Sequence, residues 1–361
     1  GVPVIVIDKN ICLAKYSKYT RSFHLCPDFL QPEFIDFLVK LAVSNNLKGW
    51  ALIPSNDHAV ISISKHKESL EKYYKIITPG FDIIGNIYDK LVLISIAGNS
   101  NIPIPDTISL NSKSQIPDNL EFPVLTKGRK GLSFYKSTGK KAYLSATIDD
   151  LKHHLEEIEQ LIPLEETYTQ EYIPDEGQNS TISYTAFCIE GKIKSSWTGK
   201  KIREHPLKFG TATFARSTEC FEIHKSSEIL LKKLNYTGVC EVEYLFDPRD
   251  QLFKLIEINA RTWLWVGLAK ACGINYAVMI YNHLNGKNTT FPDSYEKNIN
   301  WVNYVTDLFF SLPALLKGKL NIGEYFRTFK GKTVHAVFSR KDLLPGIMFI
   351  FLLVYIALKR K

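Results

Sequence analysis

Several features are absent from this sequence, and two of these absences argue against a class of protein. Its six cysteines are scattered and form no Cys-x-x-Cys pair, which argues against a zinc site or a disulfide framework and favours reduced, cytosolic thiols. The glycine-rich turn of a dinucleotide site is absent, so a nicotinamide cofactor is not supported. No secretory signal and no internal repeat is visible. Because the chain opens with Gly1 and a strand-like run, we expect its N-terminal end to be processed or incomplete.

Length and composition indicate a globular protein of several parts. At 361 residues the chain suits two or three subdomains, and 45% hydrophobic residues argue against disorder. The net charge of +8 is concentrated at one end, since residues 288–361 hold 11 Lys and Arg against 5 Asp and Glu. That basic region suits either an anionic partner, such as a membrane or nucleic acid, or a solvated surface. Of these partners we expect no nucleic acid.

The chain ends with an apolar segment, residues 343–358, interrupted only by Pro345-Gly346 and followed by Lys359-Arg360-Lys361. As a helix it would reach about 24 Å, less than the roughly 30 Å of a hydrocarbon core. A short membrane anchor, a helix docked on the protein itself and a partner-binding segment are the three alternatives. The basic cluster favours membrane contact, so we expect a cytoplasmic protein at the inner face of the cell membrane.

Hydrophobic patterning and turn signals divide the chain into four regions. Residues 1–85 alternate strands and helices in a βαβ-type order, with strands at 2–8 and 50–54 and helices at 32–44 and from Ser55-Asn56-Asp57 to about Tyr74. Residues 86–168 should contain a helix at 86–97, a strand at 122–127, flexible basic loops at 128–133 and 136–141, and a helix after Thr147. Residues 169–287 look strand-rich, with strands at 169–173, 180–189, 192–198, 239–246 and 252–259 and helices at 226–234 and 264–284. Residues 288–361 form the basic C-terminal region.

The most informative segment is residues 255–261, Leu-Ile-Glu-Ile-Asn-Ala-Arg. In a strand its alternation places Glu257, Asn259 and Arg261 on one face, a pattern that packing explains poorly. Glu243 joins that face if the hairpin loop spans residues 247–251 and sets Glu243 opposite Leu255. A loop one residue shorter would turn it to the other face. Carboxylate and amide oxygens suit Mg²⁺, so we rank a metal and phosphate site above a structural salt bridge.

Three weaker patterns accompany this segment. Lys127 ends an apolar strand beside a glycine-bearing loop and Lys90 lies on a helix, so both could meet phosphate oxygens or lie on the surface. Residues 169–174 could pair with an adenine edge or form an ordinary strand edge. The cations of Lys200-Lys201-Ile202-Arg203, before Phe209-Gly210-Thr211, could hold a carboxylate or phosphoryl group or belong to a solvated loop.

Taken in order, these motifs resemble the ATP-grasp superfamily over about residues 2–287. The similarity is greatest to the carbamoyl-phosphate-synthetase-like carboxylate–amine ligases, including the D-aspartate ligase type. The resemblance implies an α/β and α+β architecture, in which a Rossmann-like N-terminal domain that lacks its first strand precedes two ATP-grasp subdomains, 86–168 and 169–287. Two departures are visible: Thr126-Lys127-Gly128 stands where Leu-Lys-Pro is commoner, and Gln178 and Asn179 occupy the approximate place of the ribose-binding acid.

The same resemblance implies roles for individual residues, which we give as expectations. Glu243, Glu257 and Asn259 would hold Mg²⁺, with Mn²⁺ as an alternative. Catalytic roles are expected for Arg261, which would stabilise the transferred phosphoryl group, and for Lys201 and Arg203. The residues expected to contact ATP are Lys90, Lys127, Lys136, Glu171, Tyr172, Ile173 and, at the ribose, Asp175 or Glu176.

The implied reaction joins a carboxylate to an amine through an acyl phosphate and releases ADP and phosphate. The loop 128–141 would close over the phosphates. The partners would be two small molecules, with membrane contact through residues 343–358. Two alternatives are a carboxylase or kinase-like reaction at the same ATP site and a membrane-tethered scaffold that binds nucleotide without turnover.

Overall fold

A computed structural model describes residues 2–174, 181–205, 210–318 and 320–359, apart from the side chains of residues 114 and 354–359. The N-terminal part alternates strands and helices, as the sequence predicts. Its elements are β1 (Val4–Asp8), β2 (Thr20–Leu25), α1 (Glu33–Ser44), β3 (Trp50–Leu52), α2 (Asp57–Lys65), α3 (Lys67–Leu70) and β4 (Tyr74–Ile76). The strands form two parallel pairs, β1 with β2 and β3 with β4.

Two predicted helices of the first hundred residues are wrong in extent. The helix expected to reach Tyr74 ends at Lys65, and β4 follows because Tyr74 and Ile76 are buried beside β3. The helix expected at residues 86–97 is two helices, α4 (Phe81–Tyr88) and α5 (Lys90–Gly98). They separate at Asp89, whose extended backbone and side chain cap α5 by accepting from the N–H groups of Leu91 and Val92. Lys90 is therefore the first residue of a helix.

A four-stranded antiparallel sheet follows, in the order β5-β8-β6-β7. Its elements are β5 (Thr107–Ile108), β6 (Val124–Gly128), α6 (Gly131–Thr138), β7 (Tyr143–Ser145), α7 (Ile148–Glu159) and β8 (Thr167–Glu171). The prediction of flexible loops at 128–133 and 136–141 is wrong, because α6 occupies half of each segment and Gly128 belongs to β6. Gly128 permits this arrangement, since a Cβ at that position would lie 2.2 Å from the Cβ of Phe134.

The largest sheet has seven strands in the order β13-β12-β9-β10-β11-β14-β15. In chain order its elements are β9 (Thr181–Ile189), β10 (Lys192–His205), β11 (Thr211–Thr218), α8 (Glu222–Lys233), β12 (Gly238–Asp247), β13 (Leu252–Asn259), α9 (Val266–Ala271), α10 (Tyr276–Leu284) and β14 (Asn300–Val302). Then come α11 (Tyr304–Leu316), α12 (Ile322–Arg327), β15 (Thr333–His335) and α13 (Leu344–Lys359). Strand β11 was not predicted, and the helix expected at 264–284 is two helices.

The C-terminal region is built into this fold. Because β14 and β15 extend the seven-stranded sheet, the predicted boundary at residue 287 does not separate two sheets. The segment expected to be helical at 343–358 is α13, which packs on the 3-10 turn Leu13–Tyr16. The Asp342 carboxylate before it accepts from Ser17 Oγ at 2.5 Å. Among the residues described, no helix combines the length and apolarity needed to cross a bilayer.

Candidate active site

Strands β12 and β13 bring the predicted polar face together by an unexpected route. The hairpin pairs Asp247 with Leu252, so its loop is one residue shorter than the register expected to align the two glutamates. A regular ladder would then have turned Glu243 to the opposite face. A bulge at Ile256 restores the alignment and sets Glu243 directly opposite Glu257. The predicted pairing with Leu255 is wrong, whereas the shared face is confirmed.

Each of these two carboxylates is held by a lysine from a different part of the fold. Lys90 Nζ, at the start of α5, donates to Glu257 Oε2 at 2.5 Å. Lys201 Nζ, on β10, donates to Glu243 Oε2 at 2.8 Å, and both of these side chains are buried. The predicted residues Lys90, Lys201, Glu243 and Glu257 therefore converge, although they are up to 167 positions apart in the chain.

The ion pairs shift the pKa values of their members. The charge of Lys90 lowers the pKa of Glu257 to about 2, against the desolvation that opposes its ionisation. Desolvation disfavours the charged form of Lys90, but the attraction of Glu257 outweighs it, and the pKa of Lys90 is raised. Lys201 is likewise desolvated and likewise has a raised pKa because of Glu243. All three groups are consequently charged at neutral pH.

Lys127 provides a second cation beside Lys90. It lies on β6, and its Nζ donates to Gln170 Oε1 on β8 at 2.9 Å. Desolvation, followed by the nearby charge of Lys90, lowers the pKa of Lys127 to about 8. A phosphate group beside these two ammonium groups would relieve their repulsion. The two lysines are therefore close enough for their charges to interact, and their contact with ATP phosphates stays a prediction.

Glu241 also faces this site, although the sequence analysis did not select it. It pairs with Asn259 across the two strands, and its Oε2 accepts from Asn259 Nδ2 at 3.1 Å. The same amide nitrogen donates to Glu243 Oε1 at 3.2 Å. Burial and the neighbouring Glu243 raise the pKa of Glu241 to about 8. Within the described ranges its Oε1 has no hydrogen-bond partner.

The donor set fits a magnesium ion. Glu243, Glu257 and Asn259 offer two carboxylates and an amide oxygen on one face, which are hard oxygen ligands, and the buried Glu241 adds a third carboxyl group beside them. In the part of the chain that the structure covers, these carboxylates hold ammonium groups, and no three His, Cys, Asp or Glu side chains are grouped as a metal cage. A divalent cation would have to displace the lysines from the carboxylate oxygens that they occupy.

Arg261 connects this site to the N-terminal part. Its guanidinium makes a two-pronged ion pair with Asp57, at the start of α2, with Nε to Oδ1 at 2.7 Å and Nη2 to Oδ2 at 3.1 Å. Nη2 also donates to Asn259 Oδ1 at 3.2 Å. Arg261 borders a small cavity of about 20 Å³ between Ile53, Thr78 and Val239. The predicted residue thus lies at the site with a partner that the sequence did not reveal.

The segment expected to bind adenine follows β8. Tyr172 N–H donates to the carbonyl of Pro123 at 3.0 Å, and Ile173 is buried. The Glu171 carboxylate accepts from the Asp106 N–H, from Lys254 Nζ and from Arg249. Its oxygens therefore fasten the end of β8 to the β12–β13 hairpin. An adenine contact for Glu171, Tyr172 and Ile173 stays a prediction.

Comparisons with known proteins agree with this geometry. The family described as carbamoyl-phosphate synthase L chain, ATP binding domain, matches residues 179–281. The D-aspartate ligase of Enterococcus faecium is 23% identical over 262 residues, which are 68% of this chain and 62% of that protein. A carbamoyl-phosphate synthase of Methanobrevibacter smithii is 24% identical over 72% of this chain and 70% of its own length.

Solved structures show the same fold. An L-amino acid ligase from Bacillus licheniformis superposes with a TM-score of 0.58 at 15% identity, covering 78% of this chain and 68% of that one. A biotin carboxylase from Campylobacter jejuni gives a TM-score of 0.61 at 15% identity, covering 82% and 68%. These matches support the predicted resemblance to the ATP-grasp superfamily. The predicted similarity to carboxylate–amine ligases is confirmed, and the chain spans 62% of the length of the D-aspartate ligase that it matches.

Two residues expected to act in this site, Arg203 and Lys136, are not brought into it by the contacts that the structure describes. Arg203 makes a two-pronged ion pair with the fully buried Asp307 of α11, both distances being 2.8 Å, so it anchors a helix. Its guanidinium is also covered by the Phe214 ring, whose centroid is 4.5 Å away. Lys136 is exposed on α6. Asp175 and Glu176 lie outside the described residues.

Proposed function

We propose that this protein is an ATP- and Mg²⁺-dependent ligase that joins a carboxylate to an amine and releases ADP and phosphate. The observation that carries the proposal is the convergence of Lys90 and Lys127, from α5 and β6, on the carboxylates of the β12–β13 hairpin. The printed names of the similar ligases support the same reaction class. The carboxylate, the amine and the cytoplasmic location stay predictions.

The lysines and the carboxylates would bind different parts of the Mg²⁺-ATP complex. Lys90 and Lys127 would bind phosphate oxygens of ATP as point charges. Glu243, Glu257 and Asn259 would hold Mg²⁺, or Mn²⁺, against the same phosphates, and a bound metal ion would neutralise charge that develops during phosphoryl transfer. The ammonium groups of Lys90 and Lys201 now neutralise those carboxylates and would then be free to turn towards anionic substrate groups.

Two chemical steps would follow. An oxygen of the substrate carboxylate attacks the γ-phosphorus of ATP. The bond between that phosphorus and the oxygen that bridges to the β-phosphate breaks, so ADP departs and the substrate becomes an acyl phosphate. The unprotonated amine then attacks the acyl carbon, phosphate leaves from the tetrahedral intermediate, and the amine nitrogen loses a proton to complete the amide. Arg261 and Lys201 lie beside the metal-binding face and would stabilise negative charge in both steps.

The first experiment measures whether ATP turnover requires a carboxylate and produces an acyl phosphate. We expect ADP release from the full chain with Mg²⁺ to depend on one carboxylate within a panel of amino acids and sugar acids. Hydroxylamine should convert the intermediate into an acyl hydroxamate, detected by its iron complex and by mass spectrometry. Active enzyme that yields no hydroxamate would exclude the acyl-phosphate step.

A matched pair of variants tests the metal role of the site. Glu257→Gln should abolish ADP release and should weaken Mg²⁺-dependent ATP binding in calorimetry, because one anionic ligand is lost. Glu228→Gln, an exposed position on α8, should leave both unchanged. A normal turnover rate for Glu257→Gln with the fold intact would remove Glu257 from the proposed metal site.

The same assays separate the two rival functions. Bicarbonate dependence or a stable phosphorylated product would indicate a carboxylase or kinase-like reaction. Mg²⁺-dependent ATP binding without ADP release over the whole panel would indicate a scaffold without turnover.

A further inference from the structure

Helices α11 and α12, which meet through their buried Asp307 and Tyr325 side chains, each expose several large apolar side chains, and together we call these the α11–α12 face. On α11, Leu308, Leu312 and Leu316 recur every four residues, so they form one row along the helix, with Phe309 beside them. On α12, Ile322 and Phe326 are also four residues apart. Phe309 is 70% and Leu316 79% exposed, and none of these side chains is buried by the described residues. Soluble proteins rarely leave so many large apolar side chains together without a partner.

The opposite side of the two helices fixes this face in place. Asp307 of α11 and Tyr325 of α12 are buried and meet at Arg203 of the large sheet. Asp307 also accepts from Thr213 Oγ1 on β11 at 2.8 Å. These inner contacts are charged and buried, and they involve both helices. They hold α11 and α12 against the sheet through side chains other than the outward ones. The α11–α12 face is thus a fixed surface of the fold.

The exposed charged residues of the chain segment that carries this face are almost all cations. Between residues 304 and 350, the exposed acidic side chains that the structure describes are limited to Glu324. The exposed cations of the same span are Lys317, Arg327, Lys330, Lys332, Arg340 and Lys341. Lys317 follows α11 directly and Arg327 ends α12, so both flank the apolar row. Apolar side chains flanked by cations are the combination with which proteins bind the surface of an anionic bilayer.

We propose that the α11–α12 face docks on an anionic membrane surface, with its leucine and phenylalanine side chains in the headgroup region and the flanking cations on lipid phosphates. A second copy of the chain fits this face less well. A two-fold interface would bring two copies of this positively charged surface together, and like charges repel. Helix α13 repeats the pattern, because Ile347, Ile350 and Phe351 are exposed shortly after Arg340-Lys341.

Vesicle sedimentation of the full chain tests this docking. We expect binding to vesicles that contain phosphatidylglycerol and little binding to pure phosphatidylcholine. The double variant Phe309→Gln/Leu316→Gln should weaken binding by roughly tenfold or more, since two exposed apolar side chains are removed without changing the core. The pair Lys317→Gln/Lys330→Gln should cost about fivefold per cation and should lose most of its effect in high salt.

Phe221→Gln is the matched control, because Phe221 is 69% exposed at the start of α8, outside the proposed face. It should bind vesicles like the original chain. Equal binding by the Phe309/Leu316 variant, equal loss in the Phe221 variant, or no binding to either vesicle type would overturn the proposal. Chromatography with light scattering would overturn it in another way, by showing a dimer that the Phe309/Leu316 variant converts to a monomer.

Discussion

At the scale of single residues, the catalytic role proposed for Lys201 can be tested with the adjacent Lys200 as a matched control. Lys200 and Lys201 are consecutive on β10 and therefore point to opposite faces of the sheet. Lys201→Met should lower the rate constant of ATP-dependent ligation about a hundredfold, because a charge beside the reacting groups is lost. The measurement is steady-state ADP release with saturating ATP and carboxylate, alongside thermal unfolding to show that the fold is retained.

Lys200→Met removes the same side chain from the other face and serves as the control. It should keep the ligation rate within about twofold, because the half-buried Lys200 lies on the opposite face of β10 from Lys201 and its partner Glu243. Equal rate losses in the two variants would show that the strand, and not the ammonium group beside Glu243, is responsible.

Sequence alternation predicts some of these residues and leaves others out. Glu257 and Asn259 follow from period two along β13, and the same rule applied to Cys240-Glu241-Val242-Glu243 would have placed Glu241 on the face of Glu243. The sequence therefore contains enough information to select Glu241, because a carboxylate inside an apolar strand rarely serves packing. Asp57 could not be predicted in this way. It reaches Arg261 from 204 residues away, and single-sequence patterns carry no information on such contacts.

At the scale of elements, Arg203 illustrates how a cation expected in catalysis instead anchors a helix. Arg203→Met leaves the fully buried Asp307 carboxylate without its main partner, and such a loss costs about 3–5 kcal/mol. We expect the free energy of unfolding in urea to fall by about that amount. The affinity for Mg²⁺-ATP, measured by calorimetry on the folded protein, should not change.

A second substitution separates the ion pair from general damage. Arg203→Met/Asp307→Leu removes both charges, so it should recover part of the stability lost in Arg203→Met. If the double variant lost more unfolding free energy than Arg203→Met and Asp307→Leu lose together, that result would contradict the anchoring role.

The ion pairs of the β12–β13 hairpin should make the stability of the protein depend on pH. Arg249 and Lys254 hold the pKa of the fully buried Asp247 carboxyl well below its usual range. Because the folded pKa is lowered, the ion pairs stabilise the protein fully above the unfolded pKa of about 4, and this contribution is lost as the pH falls below it. Asp247→Asn should therefore cost about 2 kcal/mol at neutral pH. In urea unfolding the difference from the original chain should shrink towards zero in strong acid, whereas a pH-independent difference would exclude this mechanism.

The elements that the sequence analysis missed share physical causes. Helix α6 was taken for flexible loops because Gly131, Ser133, Ser137 and Thr138 have low helix propensity, although Gly139, with φ of +69°, is a typical residue after a helix end. The Ile256 bulge depends on the ladder between two strands, and local sequence does not determine it. The strands with regular alternation or unbroken apolar runs, such as Leu252–Asn259, were predicted within a residue or two.

At the scale of the whole molecule, the site exists only where separate parts of the fold meet. Lys90 comes from α5, Lys127 from the four-stranded sheet, and the carboxylates from the seven-stranded sheet. Relative movement of these parts would change the distances between cations and carboxylates without altering any element. Nucleotide and substrates that bind between the parts would therefore be expected to stabilise one relative arrangement.

The Asp57–Arg261 pair is the contact by which the N-terminal part acts on this site. Asp57→Asn should lower stability by ~1 kcal/mol or less, because the pair is partly exposed, but should change the KM for the carboxylate substrate severalfold by altering how Arg261 is held. The Kd for Mg²⁺-ATP should stay the same, since Asp57 contacts none of the lysines or carboxylates that would bind it. Asp28→Asn, which breaks the exposed Lys9–Asp28 pair of the same part, should leave both constants unchanged. Equal changes in KM and in the Mg²⁺-ATP Kd would show that Asp57 supports the whole site and does not act through Arg261 on the carboxylate alone.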